Sequence, residues 1–212
     1  FRRVLFRSKD QIVYKRLRSK INAFTNPPGK TLLTSKSNNI YDKYARAIAY
    51  FRIPMYSEAI LMINSLLNDY PDDPFFLELK GQINAENGKV EKAITAYRKS
   101  LDQIKSPAPL IMLALANMLL EKKNSIKSYE EAKSLLEKTI FLEPKNILAW
   151  RLKGIAHNKL NELKLADLSA AEEYLLRNDF NRSRYFAKRV FDNSASGSQL
   201  RTRALDILNI VN

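Results

Sequence analysis

Apolar residues along most of this chain recur every three to four positions, the period of a helix with one face buried. The clearest case is Leu79 to Leu101, LKGQINAENGKVEKAITAYRKSL. It reads as two short amphipathic helices joined by a tight turn at Asn87-Gly88, with Tyr97 and Leu101 continuing the apolar stripe of the second. Gly81 leaves room for the second helix to cross the first, and Ala93 is the small residue on the crossing helix. The stretch recurs. Ala59 and Ala93 are 34 residues apart, as are Ala132 and Ala166, while Ala93 and Ala132 are 39 apart, which is 34 plus an insertion of five. Pro71 follows Ala59 by twelve residues and Pro144 follows Ala132 by twelve.

A helix-turn-helix unit repeated near every 34 residues is the signature of tetratricopeptide (TPR) repeats. The fold class is therefore all-α: a TPR solenoid of four to five repeats over residues 41–212, closed by a C-terminal capping helix. Residues 1–40 precede it as a basic leader, a linker helix and a proline-rich connector. The leader is Phe1 to Ser8. The linker helix spans Asp10 to Phe24, with Ile12, Val13, Leu17, Ile21 and Phe24 on one side and Lys15, Arg16, Arg18 and Lys20 on the other. Asn26-Pro27-Pro28-Gly29 stops it, because proline lacks the amide donor and disfavours helix in the residue before it. Helix B of the first repeat runs from Ser57 to Asp69, and Asp72-Asp73-Pro74 starts the second repeat. The third begins at Pro109, with the insertion in its turn around Asn124 to Ser128 and helix B from Tyr129 to Leu142. The fourth begins near Ile147. Leu163 to Arg177 serves it as helix B and serves a fifth repeat as helix A, and Gln199 to Val211 is the cap.

Composition narrows the chemistry. A hydrophobic share of 45% suits a folded domain, and the absence of cysteine excludes disulfides, thiolate metal sites and a cysteine nucleophile. The single histidine, His157, excludes any site built from several imidazoles and reads as a hydrogen-bonded structural residue. The chain begins with Phe1, which suggests a piece of something longer. Val4-Leu5-Phe6 is too short for a signal-peptide core. The longest apolar run, Pro109 to Leu120, contains Asn117 and is shorter than the roughly 20 residues that span a bilayer. Glu130-Glu131 and Glu172-Glu173 read as exposed helix faces, not as an acid–base pair in a cleft. There is no phosphate-cradling glycine loop and no Gly-x-Ser-x-Gly, so this chain alone carries no catalytic residue.

The net charge is +14 and uneven. Up to Lys36 ten cations face Asp10 alone, the middle repeats are close to balanced, and a second cluster comprises Arg177, Arg182, Arg184, Lys188, Arg189, Arg201 and Arg203. Such ends can attract nucleic acid, anionic lipid or an acidic protein.

The run YARAIAYFR, FLELKGQ, ENGKVEKAI, LALANMLLE, LEPKNILAWRLKGIA and LADLSAAEEYLLRNDF, in that order, resembles the C-terminal TPR domain of BepA-like bacterial zinc metalloproteases of metallopeptidase family 48. IVYKRLRSKINAFTNPP resembles the segment joining their protease domain to the repeats. The resemblance covers residues 10–212, and LADLSAAEEYLLRNDF is its most specific part. It implies a periplasmic location, a polypeptide partner or substrate that includes outer-membrane β-barrel assembly machinery, and an upstream protease domain carrying the zinc. The HExxH motif is absent here, so no catalytic or metal residue carries over and no cofactor is expected in this chain.

Helix phase assigns Tyr44, Ile48, Glu78, Gln82, Met112, Arg151, Ile155 and Asn158 to the inward faces of the A helices, a candidate peptide groove. Trp150 with Leu152 and Ile155 reads as repeat core. Lys15, Arg16, Arg18 and Lys20 form a candidate basic patch. Aromatics among these cations are sparse, so a domain contact is favoured over nucleic acid, with the apolar side of the helix packing on the protease domain or the first repeat. The alternative is a stand-alone cytoplasmic adaptor that binds an acidic protein or RNA through its basic ends.

Overall fold

The computed structural model describes residues 2–211, and the side chains of Gln11 and of residues from 14 onward. Expectations resting on Phe1, or on the side chains of Ile12 and Val13, lie outside the described residues. Among the described residues every regular element is a helix, and these divide between two compact units, residues 1–105 and 106–212.

Unit 1 holds α1 (Arg2–Thr25), α2 (Pro28–Thr34), α3 (Ile40–Arg52), α4 (Tyr56–Asp69), α5 (Pro74–Glu86) and α6 (Val90–Gln103). The hairpins α3–α4 and α5–α6 are the first two repeats, and α4 packs on α5 to join them. Their core is built from Tyr44, Ile48, Ile63, Leu66, Phe76 and Ile83 around the small Ala45, Ala47 and Ala59. Two expectations change. The leader is not separate from the linker helix, since α1 already begins at Arg2. The proline cluster does stop α1, but Pro28 then occupies the first turn of a short helix, where its missing amide costs nothing.

Unit 2 holds α7 (Pro109–Glu121), α8 (Ile126–Leu142), α9 (Ile147–Lys159), α10 (Leu163–Leu176), α11 (Phe180–Asn193) and α12 (Gln199–Ile210). α10 packs against α9, α11 and α12, so it closes one hairpin and opens the next. α12 caps the stack, with Ile207 and Val211 against Ala171 and Ala187. The five-residue insertion is not confined to a turn. Compared with the other repeats, the A–B turn gains one residue, the connection before α7 gains one, and α8 gains three at its start.

Helix starts follow from caps. Asn39, Asp73, Asn146, Asp179 and Ser198 each accept a hydrogen bond from a first-turn amide. Four of the five A–B turns among the described residues hold one left-handed residue each. Gly88, Asn124, Asn161 and Asn178 supply it, at φ +67°, +51°, +61° and +60°.

Candidate polypeptide-binding faces

In unit 1 the expected groove is filled. The N-terminal helix α1 packs on α3 and reaches α5, so Tyr44 is 1% exposed and Ile48 fully buried beside Ala23 of α1. These two are core residues, and the assignment of both to an accessible groove is corrected. Tyr44 packs edge-on against Phe76 with ring centroids 5.0 Å apart. Its hydroxyl has no hydrogen-bond partner among the described residues. Burial, and then the anions of Glu78 and Asp73, push its ionisation far above the ordinary tyrosine value.

The anions that hold α1 come from α5. Asp73 caps α5 through the amides of Phe75 and Phe76, at 3.0 and 3.2 Å, and also pairs with Arg16. The Arg16 guanidinium lies 4.7 Å from the centroid of Phe75. Glu78 accepts from Lys20 of α1 at 3.1 Å and from Gln82 of its own helix at 3.0 Å, and both predicted groove residues of α5 are half-buried. Ser19 donates to the Tyr41 carbonyl at 2.7 Å, and Arg52 donates to the Ala23 and Asn26 carbonyls.

This reverses the expected orientation of α1. The packed side carries Arg16, Ser19, Lys20 and Ala23, whereas Tyr14, Leu17, Ile21 and Phe24 are turned outward, Leu17 with 53% of its surface exposed. The basic patch is split accordingly. Arg16 and Lys20 are engaged, while Lys15 and Arg18 remain exposed beside a cleft that reaches Asn22, Asn26 and Asp42.

In unit 2 the corresponding face is uncovered. Arg151, Ile155 and Asn158 are exposed along α9, and Leu148 extends the row by one turn. Met112, on the neighbouring α7, is half-buried. Of the trio read as core, Leu152 is buried, Ile155 is not, and Trp150 is half-buried with its indole N–H donating to the Pro144 carbonyl at 2.9 Å.

His157 is buried on the opposite side of α9. Its Nδ1 lies 2.5 Å from Glu162 Oε2, and Glu162 also accepts from Lys133 at 3.0 Å. Burial holds the imidazole below its ordinary pKa against the opposing pull of Glu162, while the His157 hydrogen bond and Lys133 hold the Glu162 carboxyl low. The result is a clasp across the α9–α10 turn. Among the described residues no three His, Asp or Glu side chains gather to hold a metal ion.

The carboxylates at 172 and 173 are not on an exposed face. Both are buried, Glu172 in a bidentate pair with Arg203 at 2.6 and 2.9 Å and Glu173 with Arg177 at 2.8 Å. The whole C-terminal basic cluster is likewise engaged. Arg182, Lys188 and Arg189 pair with Asp179, Asp192 and Asp167. Arg184 donates to the Val211 carbonyl, and Arg201 donates to the Ser194 carbonyl while stacking 4.1 Å from the Phe191 centroid.

No protein-family model and no curated protein matches the chain. Solved structures do. MamA from Desulfovibrio magneticus RS-1, from residue 41 to its end, superposes with a TM-score of 0.59 at 19% identity, over 78% of this chain and 88% of that one. A tetratricopeptide repeat protein from Parabacteroides merdae gives 0.51 at 13% identity, over 93% and 82%. Yeast Tom70 gives 0.51 at 13%, over 93% of this chain and 39% of that one. At these identities the likeness establishes the fold, an all-α array of TPR helix pairs.

Proposed function

We propose that this chain is a polypeptide-binding module whose open ligand face lies on α7 and α9. One observation carries the reading. In unit 1 the A-helix face of α3 and α5 already holds a helical polypeptide, the chain's own α1, through Arg16–Asp73, Lys20–Glu78 and the Phe75 ring. The corresponding face of unit 2 carries the same kind of mixed side chains, Leu148, Arg151, Ile155 and Asn158, with nothing from its own unit over them. We further propose that the module is the C-terminal part of a periplasmic zinc metalloprotease acting in outer-membrane protein quality control. The sequence resemblance over residues 10–212 supports this. So does the outward row Tyr14, Leu17, Ile21 and Phe24, which suits a linker helix packing on a domain ahead of it. The zinc belongs to that domain; no residue of this chain is a ligand to it.

The test is fluorescence anisotropy with a labelled, urea-unfolded outer-membrane β-barrel polypeptide. Replacing Arg151, Ile155 and Asn158 with alanine together should weaken binding about tenfold or more at unchanged helicity. An unchanged Kd would remove α9 from the site. The protease assignment stands or falls separately, on an HExxH motif encoded upstream of Asp10.

A further inference from the structure

A cleft of about 560 Å³ lies on other elements, between α4, α5 and α6 of unit 1. Four of its lining residues are lysines, Lys80, Lys89, Lys92 and Lys99, against one carboxylate, Glu91. Lys99 is tied at the rim, to the Pro71 carbonyl at 3.0 Å and Asp72 at 3.1 Å. Among the described residues no carboxylate pairs with Lys80, Lys89 or Lys92, and Lys80 is half-buried. Its ammonium is held below the ordinary lysine value by burial first, and then by the like charges of Lys99 and Lys92. Beneath them the lining is apolar, with Ile60, Leu67 and Leu77.

Unpaired cations gathered over an apolar floor are electrostatically unfavourable until an anion arrives. A ligand that complements both parts carries carboxylates beside an apolar side chain. We infer that the α4–α5–α6 cleft binds an acidic polypeptide segment, its carboxylates on Lys80, Lys89 and Lys92 and an apolar side chain on Ile60, Leu67 and Leu77. The site is distinct from the α9 face, and a single chain can use both. Single-stranded RNA fits less well, because recognition of unpaired bases relies on aromatic stacking and no aromatic side chain lines the cleft.

The experiment uses the full chain and a fluorescein-labelled synthetic peptide containing Glu-Leu-Glu-Glu-Leu. Binding should weaken about tenfold or more in Lys80→Glu/Lys92→Glu, and similarly in Lys89→Glu/Lys92→Glu, whose two positions are exposed and whose circular dichroism should match that of the unaltered chain. The same peptide with glutamine for glutamate should bind correspondingly worse. Raising salt from about 50 to about 500 mM should weaken the complex through screening. The Arg151, Ile155 and Asn158 alanine variant should bind this peptide normally, which separates the two sites. An unchanged Kd in the charge-reversed variants, or equal binding of the glutamine peptide, overturns the assignment. So does displacement by oligouridylate as effective as by unlabelled peptide, which would mark the cleft as a general polyanion surface.

Discussion

At Gly81 a β-carbon would stand 2.6 Å from Cδ1 and Cε1 of Tyr97 and 2.9 Å from Cζ, so the ring of one helix occupies the space that glycine leaves on the other. At Gly154, the corresponding position on α9, a β-carbon would meet Ser169 Cβ at 3.5 Å and the Ala166 carbonyl at 3.6 Å, ordinary contact distances. The two substitutions should therefore diverge in sign. Gly81→Ala drives a methyl group into a buried ring and should cost about 1–3 kcal/mol. Gly154→Ala adds helix propensity without a clash and should gain about 0.5–1 kcal/mol. Urea denaturation of the two single variants checks both, and equal effects would mean that the ring does not fill the gap. The need for a small residue here was legible from the repeat spacing. Its partner was not, since Ala93 is equally buried and only side-chain direction distinguishes Tyr97 as the group beneath Gly81.

Among the elements, the A–B hairpins were readable because each is local: the period, the cap and the turn lie within one 34-residue window. The orientation of α1 was not. Its periodicity separates an apolar from a basic side, and the usual rule buries the apolar one. The anions that reverse the rule, Asp73 and Glu78, stand 57 and 58 residues away from Arg16 and Lys20, on a helix that spacing alone does not bring to α1. Tyr44 and Ile48 were misplaced for the same reason, through the helix that covers them. The α9–α10 turn offers a test at this scale, because His157 is the only histidine and its proton resonance is unambiguous. Burial lowers its folded-state pKa below the ordinary 6.5. The folded state therefore binds this proton less readily than the unfolded chain. The clasp's contribution is full above pH 6.5 and is lost as pH falls through the folded-state value. Glu162, whose pKa is also lowered, adds a further loss only below its ordinary 4.5. The NMR titration midpoint should lie below 6.5, with the melting temperature declining on the acid side of it. Glu162→Gln, which removes the neighbouring anion, should move the midpoint lower still. A midpoint at or above 6.5 would contradict the buried, neutral imidazole.

Across the whole molecule, a formal charge of +14 says little until each cation's partner is known. The C-terminal cluster is bound up in pairs with Glu172, Glu173, Asp167, Asp179 and Asp192 and in hydrogen bonds to carbonyls, and Arg16 and Lys20 are tied to α5. Three cations without a paired carboxylate among the described residues, Lys80, Lys89 and Lys92, stand instead around the α4–α5–α6 cleft, in repeats whose summed charge is near balance. Arg203 separates the two accounts of the basic ends. If it serves the fold, Arg203→Gln strands the buried Glu172 carboxylate and should lower the melting temperature by several degrees. The salt dependence of any binding to single-stranded RNA should then stay as it was. If it serves nucleic acid, the stability should hold, and the slope of log K against log salt should become shallower by about 0.7, the share of a single neutralised phosphate. The bidentate geometry at 2.6 and 2.9 Å favours the first outcome, in which the arginines of this end hold α12 to α10 and the polyvalent charge is a by-product of building the cap.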